Sequence, residues 1–279
     1  MTSMGKRVLT TVITLPTLFI IIFLFPHNSY LGFSLLAAVT AAYGAKELKV
    51  LYEKAENTTL HISPLGIGLL PLAQWIEIAH APGLPLVDLT VVLLALFSFS
   101  MELRYGDKDS FAKSLSRISG ESLLILYPGI LITFIQRILT LPHPSASLIL
   151  FFLLVFGNDS FAFVFGMSMG RNKQGIIKVS PKKSLAGFIG GTLSTMVISV
   201  LFCLFVPGIK EDISIWMALV LGFATSSAAN IGDLIESAFK RSALVKDSGS
   251  IIPGRGGLLD SIDSMLASAP VFWILLTLF

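Results

Sequence analysis

NIGDLIESAFKRSALVKDSGSIIPGRGGLLDSIDSM, residues 230–265, is a densely charged stretch in an otherwise apolar chain. Acidic and basic side chains stand close together in it, glycines separate them, and apolar sequence continues on both sides. Charged side chains cost free energy next to sequence that is apolar enough to cross a membrane, so we expect a functional site here. The acids are Asp233, Glu236, Asp247, Asp260 and Asp263, and the cations are Lys240, Arg241, Lys246 and Arg255.

Helical spacing groups several of these side chains. In a helix over residues 230–240, one face would carry Asp233, Glu236, Ser237 and Lys240. The next helix would repeat the spacing with Asp260 and Asp263, and glycines would fill the loop between the two helices. Carboxylates that face such a loop suit Mg²⁺, which takes one or two carboxylates together with substrate phosphates. The alternative is a solvated loop with ordinary helix caps.

The composition predicts an all-α polytopic integral membrane protein. Of the 279 residues, 54% are hydrophobic and 13% are charged, and the mean hydropathy is +0.82. The net charge of +3 calls for no nucleic-acid partner. About nine runs are long enough, or nearly so, to cross roughly 30 Å of hydrocarbon. They are residues 8–25, 31–50, 64–80, 85–103, 120–139, 146–166, 184–206, 213–234 and 261–279.

The basic residues predict the orientation of these spans. Of the 20 lysines and arginines, all but Arg137 and Lys210 fall on one side of a nine-span arrangement. Because cytoplasmic loops carry the excess of positive charge, we expect the amino terminus and the loop at residues 236–260 in the cytoplasm, with the carboxyl terminus outside. We divide the chain into amino-terminal spans, residues 1–145, and a carboxyl-terminal part, residues 146–279.

Two more segments of the carboxyl-terminal part carry polar groups in apolar surroundings. Asp159 lies within an apolar span, where it either serves a site or packs as a hydrogen-bonded group. The seventh span opens with SPKKS, in which the Ser-Pro pair can start the helix. Its Lys182 and Lys183 either meet phosphate at the helix amino end or anchor to anionic lipid headgroups. Gly187 and Gly191 are expected to permit close helix contact.

Polar residues of the first 145 positions are expected to have structural roles. Glu47, with its lysine neighbours, has the pattern of a solvated helix end. Asp88 and Glu121 lie near span ends, where a capping role is expected. The four histidines are scattered without metal-ligand spacing, so a zinc site is not expected.

The charged stretch resembles the signature of the phosphatidate cytidylyltransferases, also called CDP-diacylglycerol synthases. That signature contains S-x-x-K-R-x4-K-D-x-G followed by P-G-H-G-G-x-x-D-R-x-D. Two positions depart from it, because Arg255 stands for the family's His and Ser261 for its Arg. The matching positions are Ser237, Lys240, Arg241, Lys246, Asp247, Gly249, Pro253, Gly254, Gly256, Gly257, Asp260 and Asp263.

Two upstream segments resemble the same family. The sequence from Asp159 is similar to D-S-x-A-Y-x3-G, with Phe163 in place of Tyr. SPKKS and the residues after it are similar to S-P-K-K-T-x-E-G-x-x-G-G, with Ser184 for Thr and Ala186 for the acidic or polar residue. The resemblance therefore covers the chain from about residue 159 to its end.

The resemblance implies transfer of CMP from CTP to phosphatidic acid, which gives CDP-diacylglycerol and pyrophosphate for phospholipid biosynthesis. It implies a multi-pass protein of the inner (plasma) membrane, with its active site facing the cytoplasm and a homodimer as an option. The implied cofactor is Mg²⁺, with a monovalent cation as an option, and the implied metal ligands are Asp233, Asp260 and Glu236. The implied catalytic residues are Asp233, Asp260, Asp263, Lys240, Arg241, Lys246 and Asp247. The implied substrate-binding residues are Asp159, Lys182, Lys183, Ser237, Arg255, Gly256 and Gly257.

Other functions remain open from the sequence. A CTP-dependent lipid kinase of the polyprenol or phytol type would transfer the γ-phosphate to an alcohol. An ion-coupled transporter would use Asp159 and Asp233 as relay groups, although the chain shows no internal repeat. A non-catalytic homologue is a third alternative, which only the departures at Arg255 and Ser261 suggest.

Overall fold

The structure is a computed structural model that describes residues 27–169, 177–181, 183–207, 209, 213–252 and 256–278. The predicted first span, Lys182 and Arg255 lie outside these residues. Every regular element in the described ranges is helical, and the sole β-type pairing there is an isolated bridge between Ile252 and Gly256. The all-helical prediction is therefore confirmed.

The chain forms two compact units, Met1–Gln136 with Phe239–Ser261 and Arg137–Ala238 with Ile262–Phe279. The predicted division between residues 145 and 146 stays a prediction. The helices are α1 His27–Glu56, α2 Pro64–Ile67, α3 Leu69–Ala79, α4 Leu86–Tyr105, α5 Ser114–Leu124, α6 Leu131–Arg137, α7 Pro144–Met169, α8 Leu185–Phe205, α9 Ile215–Ser242 and α10 Leu259–Leu278. Three further short helical segments are described, the 3₁₀ helices Gly106–Asp109 and Ile138–Thr140 and the π-helix Ile125–Ile130.

Six helices of the described chain are long and apolar enough to cross a membrane. They are Leu86–Asp109, Ser114–Thr140, Pro144–Met169, Leu185–Phe205, Ile215–Ser242 and Leu259–Leu278. They match six of the nine predicted runs. The runs at 31–50 and 64–80 are helical but are not among the six, since α1 ends in charged residues and the apolar helix Pro64–Ala79 is shorter.

The first unit is held together by close packing around α1. Three residues at its start, Asn28, Ser29 and Tyr30, have left-handed backbone (φ 51°, 51° and 59°), so the regular helix begins after them. Farther along, α1 packs against α2 and α3. Gly68 allows this approach, because a Cβ there would lie 2.9 Å from the carbonyl oxygen of Ala38.

Buried ionic groups also organise the first unit. Arg117 is buried, and its Nε and Nη2 each donate to a Glu102 carboxylate oxygen at 2.7 Å. Its Nη1 donates to Asp109 Oδ2, also at 2.7 Å. Buried Glu121 accepts the backbone N–H groups of His61 and Ile62, at 2.5 and 3.1 Å. Glu121 therefore caps backbone, as expected, although the segment it caps is 59 to 60 positions away.

The second unit has an aromatic core. The rings of Phe151 on α7 and Phe272 on α10 pack with centroids 5.3 Å apart, and both side chains are fully buried. The α7 and α8 helices pack closely together. Cβ atoms at Gly187 and Gly191 would lie 2.7 Å and 3.0 Å from backbone oxygens of α7. The expected role of these two glycines in helix contact is confirmed.

Candidate active site

The structure distributes the predicted site residues between the two units. The second unit holds Asp159, Lys183, Asp233, Glu236, Ser237 and Asp263. The first unit holds Lys240, Arg241, Lys246, Asp247, Gly256, Gly257 and Asp260.

A cavity of about 520 Å³ opens in the second unit between α7, α8 and α9. Asp159 reaches its wall from α7, Lys183 from the segment before α8, and Asp233 from α9. Apolar side chains, including Phe163 and Met167, line the same cavity, and both are exposed. The cavity therefore combines charged groups with an apolar face that opens at the protein surface.

Lys183 and Asp233 form an ion pair in the cavity wall. Their side chains keep 26% and 30% of their surface exposed, so both remain accessible. Lys183 comes just before α8, which begins at Leu185 after the N-cap Ser184, whose Oγ accepts the N–H of Gly187 at 3.1 Å. The prediction that the Ser-Pro pair starts the helix is therefore wrong. The chain makes turns through Ser180 first, and Ser184 supplies the cap.

One buried carboxylate of the second unit, that of Asp263, is affected by the charges of three other acids. The charges of Asp233, Glu236 and Asp159 all act on the buried carboxylate of Asp263. Gly232 brings α9 and α10 together, since a Cβ there would collide with the Asp263 carbonyl oxygen. Among the described residues, no three acidic, histidine or cysteine side chains already surround one point as metal ligands. Mg²⁺ needs no such set, because it binds through one or two carboxylates plus substrate phosphates and water.

A buried polar network supports the cavity wall. Asn158 is buried and donates through Nδ2 to Asn230 Oδ1 at 3.1 Å, and Asn230 lines the cavity. Ser226 Oγ donates to Asn158 Oδ1 at 2.6 Å and lies 2.9 Å from Thr192 Oγ1. The sequence analysis missed this network. An asparagine inside an apolar span was the available signal, because a buried amide requires hydrogen-bond partners.

In the first unit, the glycine-rich loop closes on Asp260. Asp260 Oδ2 accepts the N–H groups of Ser248 and Gly257, at 2.9 and 2.7 Å, and also lies 2.9 Å from Ser248 Oγ. Lys240 Nζ donates to Oδ1 at 2.5 Å. Gly256 has φ +108°, and a Cβ there would lie 2.7 Å from Asp260 Oδ2, so only glycine fits without strain. The prediction that carboxylate and glycine loop face each other is confirmed for Asp260.

The side chain on the other flank of the loop is Glu47, which the sequence analysis placed at a solvated helix end. That prediction is wrong, because Glu47 is buried and its carboxylate accepts the N–H groups of Leu258 and Leu259, at 3.0 and 2.7 Å. Ser248 Oγ lies 3.1 Å from Glu47 Oε2. The contact could not be found from spacing, since Glu47 and Leu259 are 212 positions apart.

Two further cations and one acid of the described stretch are exposed. Arg241, Lys246 and Asp247 are exposed on the surface of the first unit. Exposed cations at the end of α9 are available to contact anionic ligands, but the structure gives them no defined partner in the described chain.

Comparison with known proteins identifies the family. A sequence model described as the cytidylyltransferase family matches residues 5–279. The chain belongs to the cytidylyltransferase family.

Several bacterial proteins are similar to this cytidylyltransferase-family chain, and each is named phosphatidate cytidylyltransferase. The protein from Staphylococcus saprophyticus subsp. saprophyticus is 39% identical over 125 residues, which are 45% of this chain and 46% of that protein. The protein from Haemophilus influenzae is 35% identical over 184 residues, which are 65% of this chain and 63% of that protein. The chain thus spans about half the length of the staphylococcal relative and less than two thirds of the other.

Proposed function

We propose that the protein is a phosphatidate cytidylyltransferase, a nucleotidyltransferase that uses CTP and phosphatidic acid. The observation that carries this proposal is the cavity of the second unit, which places Asp159, Lys183 and Asp233 beside Phe163 and Met167. A cavity lined by both charged and apolar side chains suits a substrate with an anionic headgroup and an apolar tail. The names of the bacterial relatives support the same substrates.

The proposed reaction joins two polyanions. An oxygen of the phosphatidate phosphomonoester attacks the α-phosphorus of CTP. The bond from that phosphorus to the oxygen that bridges to the β-phosphate then breaks, and its electron pair leaves with pyrophosphate. Because the nucleophile is already anionic, the site needs positioning and charge stabilisation more than a strong base.

The cations of the site are proposed to bind and orient the phosphates. Lys183 is held in the cavity wall by Asp233 and is accessible to a headgroup. Lys240 is held by Asp260, while Arg241 and Lys246 are exposed. The roles assigned to Lys182, Ser237, Asp247, Arg255, Gly256 and Gly257 from the family resemblance stay proposals of the same kind.

Mg²⁺ is the proposed cofactor, with Asp233 and Glu236 as its proposed ligands in the second unit and Asp263 as a supporting carboxylate. Asp260, which belongs to the first unit, stays a proposed ligand from the family resemblance alone. The support is the chemistry of the second unit, where the charges of Asp159, Asp233 and Glu236 act on the buried carboxylate of Asp263. Repulsion of that kind is relieved by a divalent cation, and Mg²⁺ prefers oxygen ligands. When bound, Mg²⁺ would stabilise negative charge on the phosphates as a Lewis acid.

A double-label assay tests the function. The purified protein in detergent receives phosphatidate together with a polyprenol and phytol, Mg²⁺, and CTP labelled either in the cytidine or in the γ-phosphate. We expect cytidine label in the lipid extract and γ label in pyrophosphate. Label from the γ-phosphate in lipid would instead identify a CTP-dependent lipid kinase, and no label in lipid from either CTP would exclude both transfer reactions.

We also propose nine spans in the inner membrane, with the amino terminus and the active site facing the cytoplasm. The six candidate spans and the asymmetry of basic residues support this topology. The test places single cysteines in a Cys203→Ala background and labels them with a membrane-impermeant maleimide. Leu244→Cys should react in inverted vesicles and Leu84→Cys in spheroplasts, and both side chains are exposed. Reversed labelling would invert the topology. Native mass spectrometry would test a homodimer.

A further inference from the structure

Glu47 connects the first described helix to the glycine-rich loop that binds the Asp260 carboxylate. Its carboxylate is 6% exposed and meets the loop at three atoms, the backbone nitrogens of Leu258 and Leu259 and the Oγ of Ser248. Leu259 begins α10, so the Glu47 carboxylate supplies acceptors for N–H groups at the amino end of that helix. A carboxylate at a helix amino end satisfies N–H groups that have no partner within the helix.

Glu47 and Asp260 hold the loop from two sides. Gly257 donates its N–H to Asp260, and the next two residues donate theirs to Glu47, so three successive N–H groups are bound by two carboxylates. The hydroxyl of Ser248 lies between those carboxylates, 3.1 Å from Glu47 Oε2 and 2.9 Å from Asp260 Oδ2. The position of Asp260 therefore depends on Glu47 through shared backbone and a shared hydroxyl.

Two loop glycines make room for Glu47. A Cβ at Gly249 or at Gly257 would collide with the Glu47 carboxyl group. Both glycines belong to the glycine-rich loop predicted between the two helices. At these two positions the group that approaches is a side chain of the chain itself. Burying a carboxylate costs free energy unless the carboxylate is hydrogen-bonded. The two glycines leave the space in which Glu47 makes its hydrogen bonds to the loop.

We propose that Glu47 is a positioning residue for the cytidylyl transfer, and this inference rests on the proposed function. Glu47 holds Ser248, Leu258 and Leu259 in place, so that Asp260 keeps Oδ2 bound to the loop and directs Oδ1 toward Lys240. A carboxylate oxygen accepts more than one contact, so Oδ1 can take a further partner. Loss of the Glu47 contacts would loosen Asp260 and slow the reaction without removing any group that binds nucleotide.

The test compares Glu47→Gln with Glu56→Gln in the purified full-length protein. Both residues belong to α1, and Glu56 is exposed. The new amide in Glu47→Gln would set an NH₂ group against backbone N–H donors, so we expect kcat to fall roughly tenfold to hundredfold. KM for CTP should stay within about twofold, as should both constants in Glu56→Gln. A Glu47→Gln variant with unchanged kcat, or with a raised KM and unchanged kcat, would overturn the proposal.

Hydrogen exchange gives a readout that does not depend on activity. We expect the backbone N–H groups of Leu258 and Leu259 to exchange faster in Glu47→Gln than in the wild type, and those of α7 to keep their rates. Equal exchange at the two leucines would overturn the proposal. Wild-type protein without cytidylyl transfer would refute the proposed function and with it the catalytic role of Glu47, while the exchange rates would still show whether Glu47 holds the loop.

Ser248→Ala is the second variant, in case Glu47→Gln does not fold. It removes the hydroxyl between the two carboxylates and leaves both carboxylates in place. We expect a fall in kcat with KM for CTP within about twofold of the wild type. An unchanged kcat in this variant would overturn the part of the proposal in which the Ser248 hydroxyl couples Glu47 to Asp260.

Discussion

Lys183 pairs with Asp233, 50 positions along the chain, in the wall of the second unit's cavity. The pair joins the segment before α8 to α9 and sets a cation beside a group of carboxylates. Such an arrangement can exchange partners, because an anionic phosphate can take the lysine while a metal ion takes the carboxylate. The first two predictions follow from this pair.

Asp233→Asn should lose much of the response to Mg²⁺. The substitution keeps the shape of the side chain and removes one negative charge from the cluster of carboxylates. We therefore expect the affinity for Mg²⁺ to fall about tenfold to hundredfold. The measurement is the rise in melting temperature with Mg²⁺ concentration in detergent, because a ligand of the folded state stabilises it. Asp88→Asn, an exposed acid in the first turn of α4, is the control and should respond like the wild type. An equal response in Asp233→Asn would exclude Asp233 as a ligand.

Lys183→Ala should weaken substrate binding more than Lys178→Ala does. Lys183 lines the cavity, whereas Lys178 is exposed. A hydrogen bond to a charged group contributes about 1.5–3 kcal/mol, which corresponds to a KM raised roughly tenfold to hundredfold. Lys178→Ala should change the KM for each substrate by no more than about twofold. Steady-state kinetics with CTP and phosphatidate varied in turn checks this, and equal effects of the two substitutions would contradict it.

Gly256→Ala should destabilise the first unit, whereas Gly32→Ala should not. The backbone of Gly256 has φ +108°, and a Cβ there would lie 2.7 Å from Asp260 Oδ2, so we expect a cost of about 1–3 kcal/mol. A Cβ on Gly32, within α1, would meet no atom within 4 Å. Alanine there should change stability by less than about 0.5 kcal/mol, because Gly32 lies in the first turn of the regular helix. The melting temperatures of both variants, measured in the same detergent, check this prediction.

Ser226→Ala should destabilise the second unit, with Ser227→Ala as its matched control. Ser226 is buried and donates to Asn158, so its loss leaves a buried amide oxygen short of a donor and costs about 1–3 kcal/mol. Ser227 hydrogen-bonds only to Phe223 in its own helix among the described residues, and its substitution should change stability by less than about 0.5 kcal/mol. Equal melting temperatures for the two variants would show that the Asn158 network contributes little.

Local patterns in the sequence predicted much of this structure. Apolar runs predicted the six candidate membrane helices, because the length and composition of a run are local properties of the sequence. The spacing of Gly187 and Gly191 predicted their contact with α7 for the same reason. Asp159 and Asp233 were predicted as acids within or beside apolar sequence and Lys183 as a cation at the start of a span, and the structure brings all three to one cavity.

Contacts between distant parts of the chain could not be predicted in this way. Glu47 has a lysine on either side within two positions, which is the pattern of a solvated helix end. Its burial follows from loop residues more than 200 positions later. Asn158 was passed over because its neighbour Asp159 carries the charge, yet Asn158 is the buried residue and Asp159 is exposed. Tertiary packing decided both cases.

The most direct measurement uses phosphatidate whose phosphate oxygens are ¹⁸O. If the lipid phosphate attacks the α-phosphorus of CTP, mass spectrometry should find all of the ¹⁸O in CDP-diacylglycerol and none in pyrophosphate. Label in pyrophosphate, or a lipid product without cytidine, would contradict the proposed reaction.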